Sequence, residues 1–243
     1  MKTILKESLR RDPYLLRRLG AVSAALLLLL GSLLFAHFMK PETLPVSASG
    51  SPACLILDPG HGGIDGGAIA YNGVKESDLN LSIALKLRDL AAFCGVPCVL
   101  TREDDAARTD AAYYSEHEEL VYRAERVNAV GGGFCFSIHQ NTFPTSQPRG
   151  AQVLYGPGEE SRRLGELTQN AIVSALQPEN RRVAEPASSG LYLTAHVHCP
   201  VILLECGFLS NLNDLQQLSS DSYQSSLAAV LIQVYLQYQA LGV

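Results

Sequence analysis

Positive charge is scarce in most of this 243-residue chain. Residues 41–243 contain twelve lysines and arginines against 22 aspartates and glutamates, whereas residues 1–40 contain seven against two. A protein that binds nucleic acid needs a basic face to meet the phosphates. The acidic body of the chain therefore argues against a nucleic-acid partner.

The chain also lacks internal repeats, low-complexity segments and a cysteine spacing typical of zinc motifs. Cysteines 54, 135 and 206 lie in or beside apolar segments, where a free cysteine behaves as a small hydrophobic residue. We expect most cysteines to belong to the core, and a disulfide in an exported compartment is an alternative. The six are Cys54, Cys94, Cys98, Cys135, Cys199 and Cys206.

One segment near the N-terminus is apolar enough to cross a membrane. Residues 19–39 carry no charge, and about 20 apolar residues span a bilayer. Four arginines between positions 10 and 18 precede this segment, which places the N-terminus in the cytoplasm. We predict a cytoplasmic basic segment at 1–18, an uncleaved transmembrane signal anchor at 19–39, a linker at 40–52 and a folded body at 53–243 outside the cytoplasmic membrane. A signal peptide cleaved near Val46–Gly50 is the alternative.

The body alternates apolar runs with segments of helical periodicity, which is typical of an α/β fold with a mostly parallel or mixed sheet. Ser77 is a plausible N-cap region for the first helix, and Gly95 a plausible stop. We expect helices from about Leu79 to Cys94, up to Gly131, at 159–176 and at 221–240, the last facing inward through residues that include Leu236. Strands are expected at 54–57, 97–100, 134–138, 151–155 and 201–204.

Three of the predicted strands end at polar residues, namely His61, His139 and Glu205. Ligands bind at the carboxyl ends of strands in open α/β sheets. Glu76 lies at the predicted start of a helix, where the helix dipole favours an ionised carboxylate. Two imidazoles, one carboxylate and a water form a known catalytic zinc arrangement, and a second carboxylate off the metal can act as general base.

Other interpretations of these residues are open at this point. A histidine after a strand is often structural, and a glutamate at a helix start often complements the dipole. His196 and His198 form a rival metal pair if they lie on an extended segment. Asp58 and Asn141 flank the ligands and either orient them through hydrogen bonds or serve turn chemistry. Arg102 and Arg126 are expected to be structural ion-pair partners rather than substrate contacts.

Several motifs together resemble the zinc-dependent N-acetylmuramoyl-L-alanine amidases. They are Leu57-Asp58-Pro59-Gly60-His61-Gly62-Gly63, Glu76 before a leucine-rich helix, Ser137-Ile138-His139-Gln140-Asn141 and Leu204-Glu205-Cys206-Gly207-Phe208-Leu209-Ser210-Asn211. Thr101-Arg102 and the segment Arg123 to Ala129 also look like family positions. The resemblance covers residues 54–240 and is greatest to the spore-cortex branch, the CwlD type.

The resemblance implies a single α/β domain with helices on both sides of the sheet and makes 53–243 a catalytic amidase domain. It implies Zn²⁺ held by His61, Glu76 and His139, with Glu205 as the catalytic glutamate. The implied substrate is peptidoglycan, cut at the amide between N-acetylmuramic acid and L-alanine of the stem peptide. The implied setting is the cell wall or the spore intermembrane space, and the resemblance to the spore-cortex branch implies a role in cortex maturation.

Two features of this chain can be compared with the pattern of the family. Gln140 stands where many relatives carry a small residue, and we expect it to alter the groove beside the metal. No long segment separates Gln140 from the strand at Ala151, so the family's inhibitory helical insertion is not evident.

Two rival functions fit the same residues. One is a non-catalytic wall-binding or regulatory domain, and the other is a metallopeptidase that cuts within the stem peptide. An activating protein partner is a further, unidentified possibility.

Overall fold

The computed structural model describes residues 53–105 and 114–241. All of them belong to one compact unit, Ser47–Val243. The predicted basic segment, anchor and linker at 1–18, 19–39 and 40–52 lie outside the described residues. Within the part of the chain that is described, no helix is both long and apolar enough to cross a membrane.

A six-stranded mixed sheet forms the centre of the fold, in the order β2-β1-β3-β6-β4-β5. Strands β2, β1, β3 and β6 are mutually parallel, while β4 pairs antiparallel with β6. The prediction of an α/β fold with a mixed sheet is confirmed. The strands are β1 Leu55–Pro59, β2 Cys98–Leu100, β3 Phe134–Asn141, β4 Gln152–Tyr155, β5 Glu185–Pro186 and β6 Val201–Phe208.

Helices cover both faces of this sheet. Because side chains alternate along a strand, Leu55 and Leu57 enter the larger core with helices α1, α3, α5 and α6, while Ile56 enters a smaller core with α2 and α4. The helices are α1 Glu76–Phe93, α2 Glu116–Asn128, α3 Glu159–Ala175, α4 Tyr192–His196, α5 Leu212–Leu218 and α6 Asp221–Ala240.

Two strands run further than predicted. β3 continues to Asn141 and β6 to Phe208, so His139 and Glu205 lie within these strands rather than at their ends.

The other local predictions are confirmed in most places and wrong in two. The first helix begins at Glu76 with Lys75 as N-cap, so Ser77 lies in the first turn and does not cap it. Leu236 is 43% exposed, because Tyr235 and Tyr238 fill the inward positions of α6. The segments α4, α5 and β5 were not predicted, since two to seven residues are too few to show a period.

The cysteines of the structure are all unpaired, and Cys135 and Cys206 are buried in the core as expected. Cys54 is half-buried and packs against the smaller core. The carboxyl end of α1 is also as predicted, because Gly95 adopts a left-handed φ of 70° directly after the cap residue Cys94.

A buried polar network lies beneath the carboxyl end of β1. Asp58 accepts hydrogen bonds from Thr101 and Ser137, each at 2.7 Å, and pairs with Arg123 at 3.1 Å. Burial would raise the pKa of Asp58, but Arg123, Thr101 and Ser137 outweigh it and hold this pKa below its usual value. Arg123 also donates to the carbonyls of Pro59 and His61, so the network fixes the chain just where the strand ends.

Loss of the Arg123 side chain should destabilise the protein strongly. Arg123→Met leaves the carboxylate of Asp58 buried without its charged partner, which typically costs about 3–5 kcal/mol. Equilibrium unfolding in urea should show this as a large drop in midpoint. The matched control is Arg163→Met, because Arg163 pairs with Glu159 where both side chains are 55% exposed, and such pairs contribute little. Equal midpoints for the two variants would contradict the assignment.

Candidate metal centre

His61 lies on the loop directly after β1, in a strained backbone conformation. Its φ is 60°, a left-handed value that non-glycine residues seldom adopt. Arg123 donates a hydrogen bond to the carbonyl oxygen of His61, and Nδ1 of the His61 ring lies 2.7 Å from Oδ2 of Asp65. These contacts fix the orientation of the ring, so that Nε2 points toward Glu76, whose Oε1 is 3.3 Å away.

Glu76 is the first residue of α1, and only 3% of this residue is exposed to solvent. Its Oε1 accepts from the backbone N–H of Gln140 at 3.0 Å, and its Oε2 accepts from that of Ala68 at 2.9 Å. Burial would raise its pKa, but His139 and His61 hold the pKa well below its usual value. The carboxylate is therefore ionised and fixed in place.

His139 lies near the end of β3 and completes the group. Its Nδ1 is 3.0 Å from Oε1 of Glu76, and its ring centroid is 5.0 Å from that of His61. Two glycines make room for the three side chains. A Cβ at Gly60 would overlap the imidazole of His139, and a Cβ at Gly67 would lie 2.7 Å from Oε2 of Glu76. Both positions exclude larger residues for a steric reason.

The three side chains fit a zinc ion. One ligand atom from each of His61, Glu76 and His139 lies within 4.8 Å of the others. Ligand atoms bound to zinc at about 2.0–2.1 Å in a tetrahedral site are roughly 3.3 Å apart, close to the 3.3 Å and 3.0 Å found here. Burial would lower the pKa of His61, yet Glu76 and Asp65 raise it to about 9, so a metal competes with a proton there.

Glu205 lies beside this group on β6, opposite His139 in the strand register. Its Oε2 is buried and has no hydrogen-bond partner among the described residues. Burial raises the pKa of Glu205 above its usual value. A cavity of about 270 Å³ brings together Glu205, His61 and His139, with Tyr192 among the other residues that line it. A buried oxygen without a partner suits a group that takes up a proton.

The structure decides between the two roles left open for Asp58 and Asn141. Asp58 bonds Thr101, Ser137 and Arg123, and the side chain of Asn141 accepts from the N–H of Thr142, so among the described residues neither side chain orients a ligand through a hydrogen bond. Asp65 takes that role at His61, and Asn80 lies 3.4 Å from Oε1 of Glu76. Neither was predicted. The carboxylate four residues after His61, within a glycine-rich loop, was the available signal for Asp65.

The two arginines have structural contacts, as expected, and those found within residues 53–105 and 114–241 are hydrogen bonds to carbonyl groups. Arg102 is 1% exposed and donates to the carbonyls of Pro59, Gly60 and Ser77. Arg126 donates to the carbonyl of Leu100 at 2.8 Å. Both arginines therefore anchor backbone around β1 and β2.

Gln140 does not line the groove, contrary to the prediction. Its side chain is buried and donates to Oδ1 of Asn80 at 3.0 Å, on the α1 side of the sheet. Gln140 therefore contacts Glu76 through its backbone N–H and, through its side chain, the Asn80 amide that lies beside Glu76. The rival metal pair is also not supported, because Nδ1 of His196 lies 2.8 Å from the carbonyl of Tyr192 and its ring stacks on that tyrosine. Within residues 53–105 and 114–241, the metal-type cluster found is His61, Glu76 and His139.

The fold and the donor set together fit the class of metal-assisted hydrolases. Residues 55–234 match the N-acetylmuramoyl-L-alanine amidase family, Amidase_3. The germination-specific N-acetylmuramoyl-L-alanine amidase of Bacillus subtilis is 32% identical over 204 residues, which cover 82% of this chain and 83% of the relative. The chain therefore belongs to the N-acetylmuramoyl-L-alanine amidase family, and it is of the CwlD type.

Solved structures agree with this assignment. The CwlD amidase of Clostridioides difficile, in complex with the GerS lipoprotein, superimposes with a TM-score of 0.71 at 34% identity, covering 76% of this chain and 98% of that one. An N-acetylmuramoyl-L-alanine amidase of Clostridium difficile 630 gives a TM-score of 0.69 at 29% identity, covering 78% and 97%.

A methyl group at position 60 should abolish metal binding. Gly60→Ala places a Cβ in the space of the His139 ring and forces the imidazole away from Glu76. Elemental analysis after zinc loading should find near-stoichiometric zinc in the wild type and little in this variant. Gly190→Ala is the control, because the nearest atom to a Cβ there is 3.8 Å away. Full zinc occupancy in folded Gly60→Ala would show that His139 is not a ligand.

Proposed function

We propose that this protein is a zinc-dependent N-acetylmuramoyl-L-alanine amidase with His61, Glu76 and His139 as metal ligands and Glu205 as catalytic residue. It hydrolyses the amide between N-acetylmuramic acid and L-alanine of the peptidoglycan stem peptide. The observation that carries this proposal is the approach of two imidazoles to one buried carboxylate, beside the unpaired buried oxygen of Glu205. Family membership supplies the substrate class.

Amide hydrolysis needs an activated water and a polarised carbonyl. Bound zinc supplies both, since it lowers the pKa of a coordinated water to about 7 and acts as a Lewis acid. The residues of this chain provide the rest of the chemistry. Because burial raises the pKa of Glu205, its carboxylate accepts a proton more readily than an exposed glutamate does.

Glu205 acts first as general base and then as general acid. Oε2 of Glu205 takes a proton from the attacking water, and the same proton passes to the nitrogen of L-alanine as the carbon–nitrogen bond breaks. The products are the lactyl carboxylate on the glycan and a free amino group on the peptide. Asp65 and Arg123 hold His61 in its strained conformation, so this residue is already in position before the substrate binds.

The cellular setting follows from the relatives and the N-terminal sequence. The relatives include the germination-specific amidase and a sporulation-specific amidase of Bacillus subtilis. We therefore place the activity outside the cytoplasmic membrane, in the cell wall or around the spore, with residues 19–39 as signal anchor. The GerS complex of the C. difficile relative supports a protein partner for this chain as well.

Digestion of purified peptidoglycan decides between this function and its rivals. The zinc-loaded full chain should release new L-alanine amino termini, and a chelator should stop the release. Mass spectrometry should find intact stem peptides separated from glycan. Fragments cut within the stem peptide would instead show a metallopeptidase, and binding without any product would show a wall-binding domain.

Replacement of the proposed base should separate metal binding from turnover. Glu205→Gln keeps the size of the side chain but removes the proton acceptor, so kcat should fall about 10²–10⁴-fold while zinc content is unchanged. The matched control is Glu166→Gln, which makes the same chemical change on the exposed side of α3 and should leave kcat unchanged. Near-normal turnover by Glu205→Gln would contradict its role.

A further inference from the structure

Arg182 is hydrogen-bonded to the residue that faces Glu205 on the neighbouring strand. Gln152 on β4 is the register partner of Glu205 on β6. Side chains of directly opposed residues in an antiparallel pair share one face of the sheet, with Cβ atoms about 5 Å apart. Oε1 of Gln152 accepts a hydrogen bond from Nη1 of Arg182 at 3.2 Å. Arg182 is therefore separated from Glu205 by one side chain.

The guanidinium of Arg182 is held by neutral groups. Its Nε donates to the carbonyl of Arg149 at 3.2 Å, and its central carbon lies 4.9 Å from the centroid of the Phe208 ring. Phe208 itself is 3% exposed. An arginine fixed over an aromatic ring loses little further freedom when it binds a ligand.

The charge of Arg182 is not neutralised by the residues around it. Among residues 53–105 and 114–241, no carboxylate pairs with Arg182, and its Nη2 forms no hydrogen bond. The charges that act on the pKa of Glu205 are those of His139, Glu76 and His61. Arg182 thus presents a positive group beside Gln152, whose side chain shares a face of the sheet with that of Glu205.

Arg182 also lines a larger cavity, which is separate from the cavity that contains Glu205. The volume of this larger cavity is about 970 Å³, and Arg149 and Arg181 also line it. The two carboxylates in its lining are already engaged, because Asp214 accepts from the N–H groups of Gly150 and Phe208, and Glu179 lies 3.9 Å from Arg181. The cavity therefore has a surplus of positive charge and room for several residues of an extended peptide.

The substrate has its negative charge on one side of the scissile bond. N-acetylmuramic acid has a single carboxyl group, the lactyl one, and the amide consumes it. Carboxylates near the bond consequently belong to the peptide. We propose that Arg182 is a specificity-determining residue that binds a carboxylate of the stem peptide, so that the peptide lies over the β4 side of Glu205. This inference rests on the proposed function, whose substrate it orients.

Peptide binding tests the inference without turnover. The zinc-loaded full chain is titrated by calorimetry with a peptide that begins with L-alanine and carries a carboxylate on its second residue. A second peptide has that carboxylate converted to an amide. Hydrogen bonds to charged groups predict that the wild type binds the carboxylate peptide about tenfold or more tightly than the amide. Both peptides have the same amino terminus, so any contact with zinc cancels.

Two variants assign the discrimination to Arg182. Arg182→Gln should remove it by weakening binding of the carboxylate peptide alone, whereas Arg163→Gln, on the exposed side of α3, should leave it intact. Equal binding of the two peptides by the wild type would overturn the inference whether or not Arg182→Gln folds. An equal loss for both peptides in Arg182→Gln would also overturn it, because a merely structural role has that effect.

The same preparations separate this inference from the proposed function. Hydrolysis of an N-acetylmuramoyl-L-alanyl peptide by a wild type that does not discriminate between the peptides would overturn the role of Arg182 alone. Discrimination without any hydrolysis would overturn the proposed amidase activity and leave the carboxylate site standing.

Discussion

The carboxylate of Glu76 between two imidazoles is the interaction on which the rest of the site depends. Buried carboxylates are stable only when they are paired or hydrogen-bonded. Glu76 has both kinds of support, since backbone N–H groups bind each of its oxygens and His61 and His139 lie within 3.3 Å of Oε1. In the protein without metal, the imidazole of His61, whose pKa Glu76 and Asp65 raise to about 9, carries a proton that balances this charge. With metal bound, the cation does so.

The surroundings of β1 make that arrangement possible. The parallel strands β1, β3 and β6 lie side by side, and their register sets His139 opposite Glu205 and both near the loop after β1 that contains His61. Asp58, Arg123 and Arg102 then hold the backbone that leaves β1. The left-handed conformation of His61 persists because these contacts fix it from beneath. Stability of the network and geometry of the metal centre are therefore coupled.

The sequence was sufficient for the parts that depend on local patterns. Apolar runs that stop at His61, His139 and Glu205 indicated strands, and the edge rule for parallel sheets then predicted a shared site. Glu76 was found because a carboxylate at a helix start is a local signal. The predicted mixed sheet follows from the same alternation of strands and helices.

Residues whose roles depend on distant contacts could not be predicted in this way. Asp65 and Asn80 orient the ligands only because the loop after β1 folds back on α1, and no periodicity encodes that path. The sequence leaves the role of Asp58 open between orienting a ligand and forming a turn, and its partner Arg123, 65 positions away in the sequence, is a contact that neither alternative includes. Arg182 reaches the Glu205 side of the sheet through Gln152, a contact that the register of β4 creates.

The zinc-edge anomalous signal from crystals of the zinc-loaded protein tests the central claim most directly. The account predicts one strong peak bounded by imidazole nitrogens of His61 and His139 and a carboxylate oxygen of Glu76, with Glu205 nearby but not bonded to the metal. A peak at other residues, or one in which Glu205 replaces Glu76 as ligand, would contradict it.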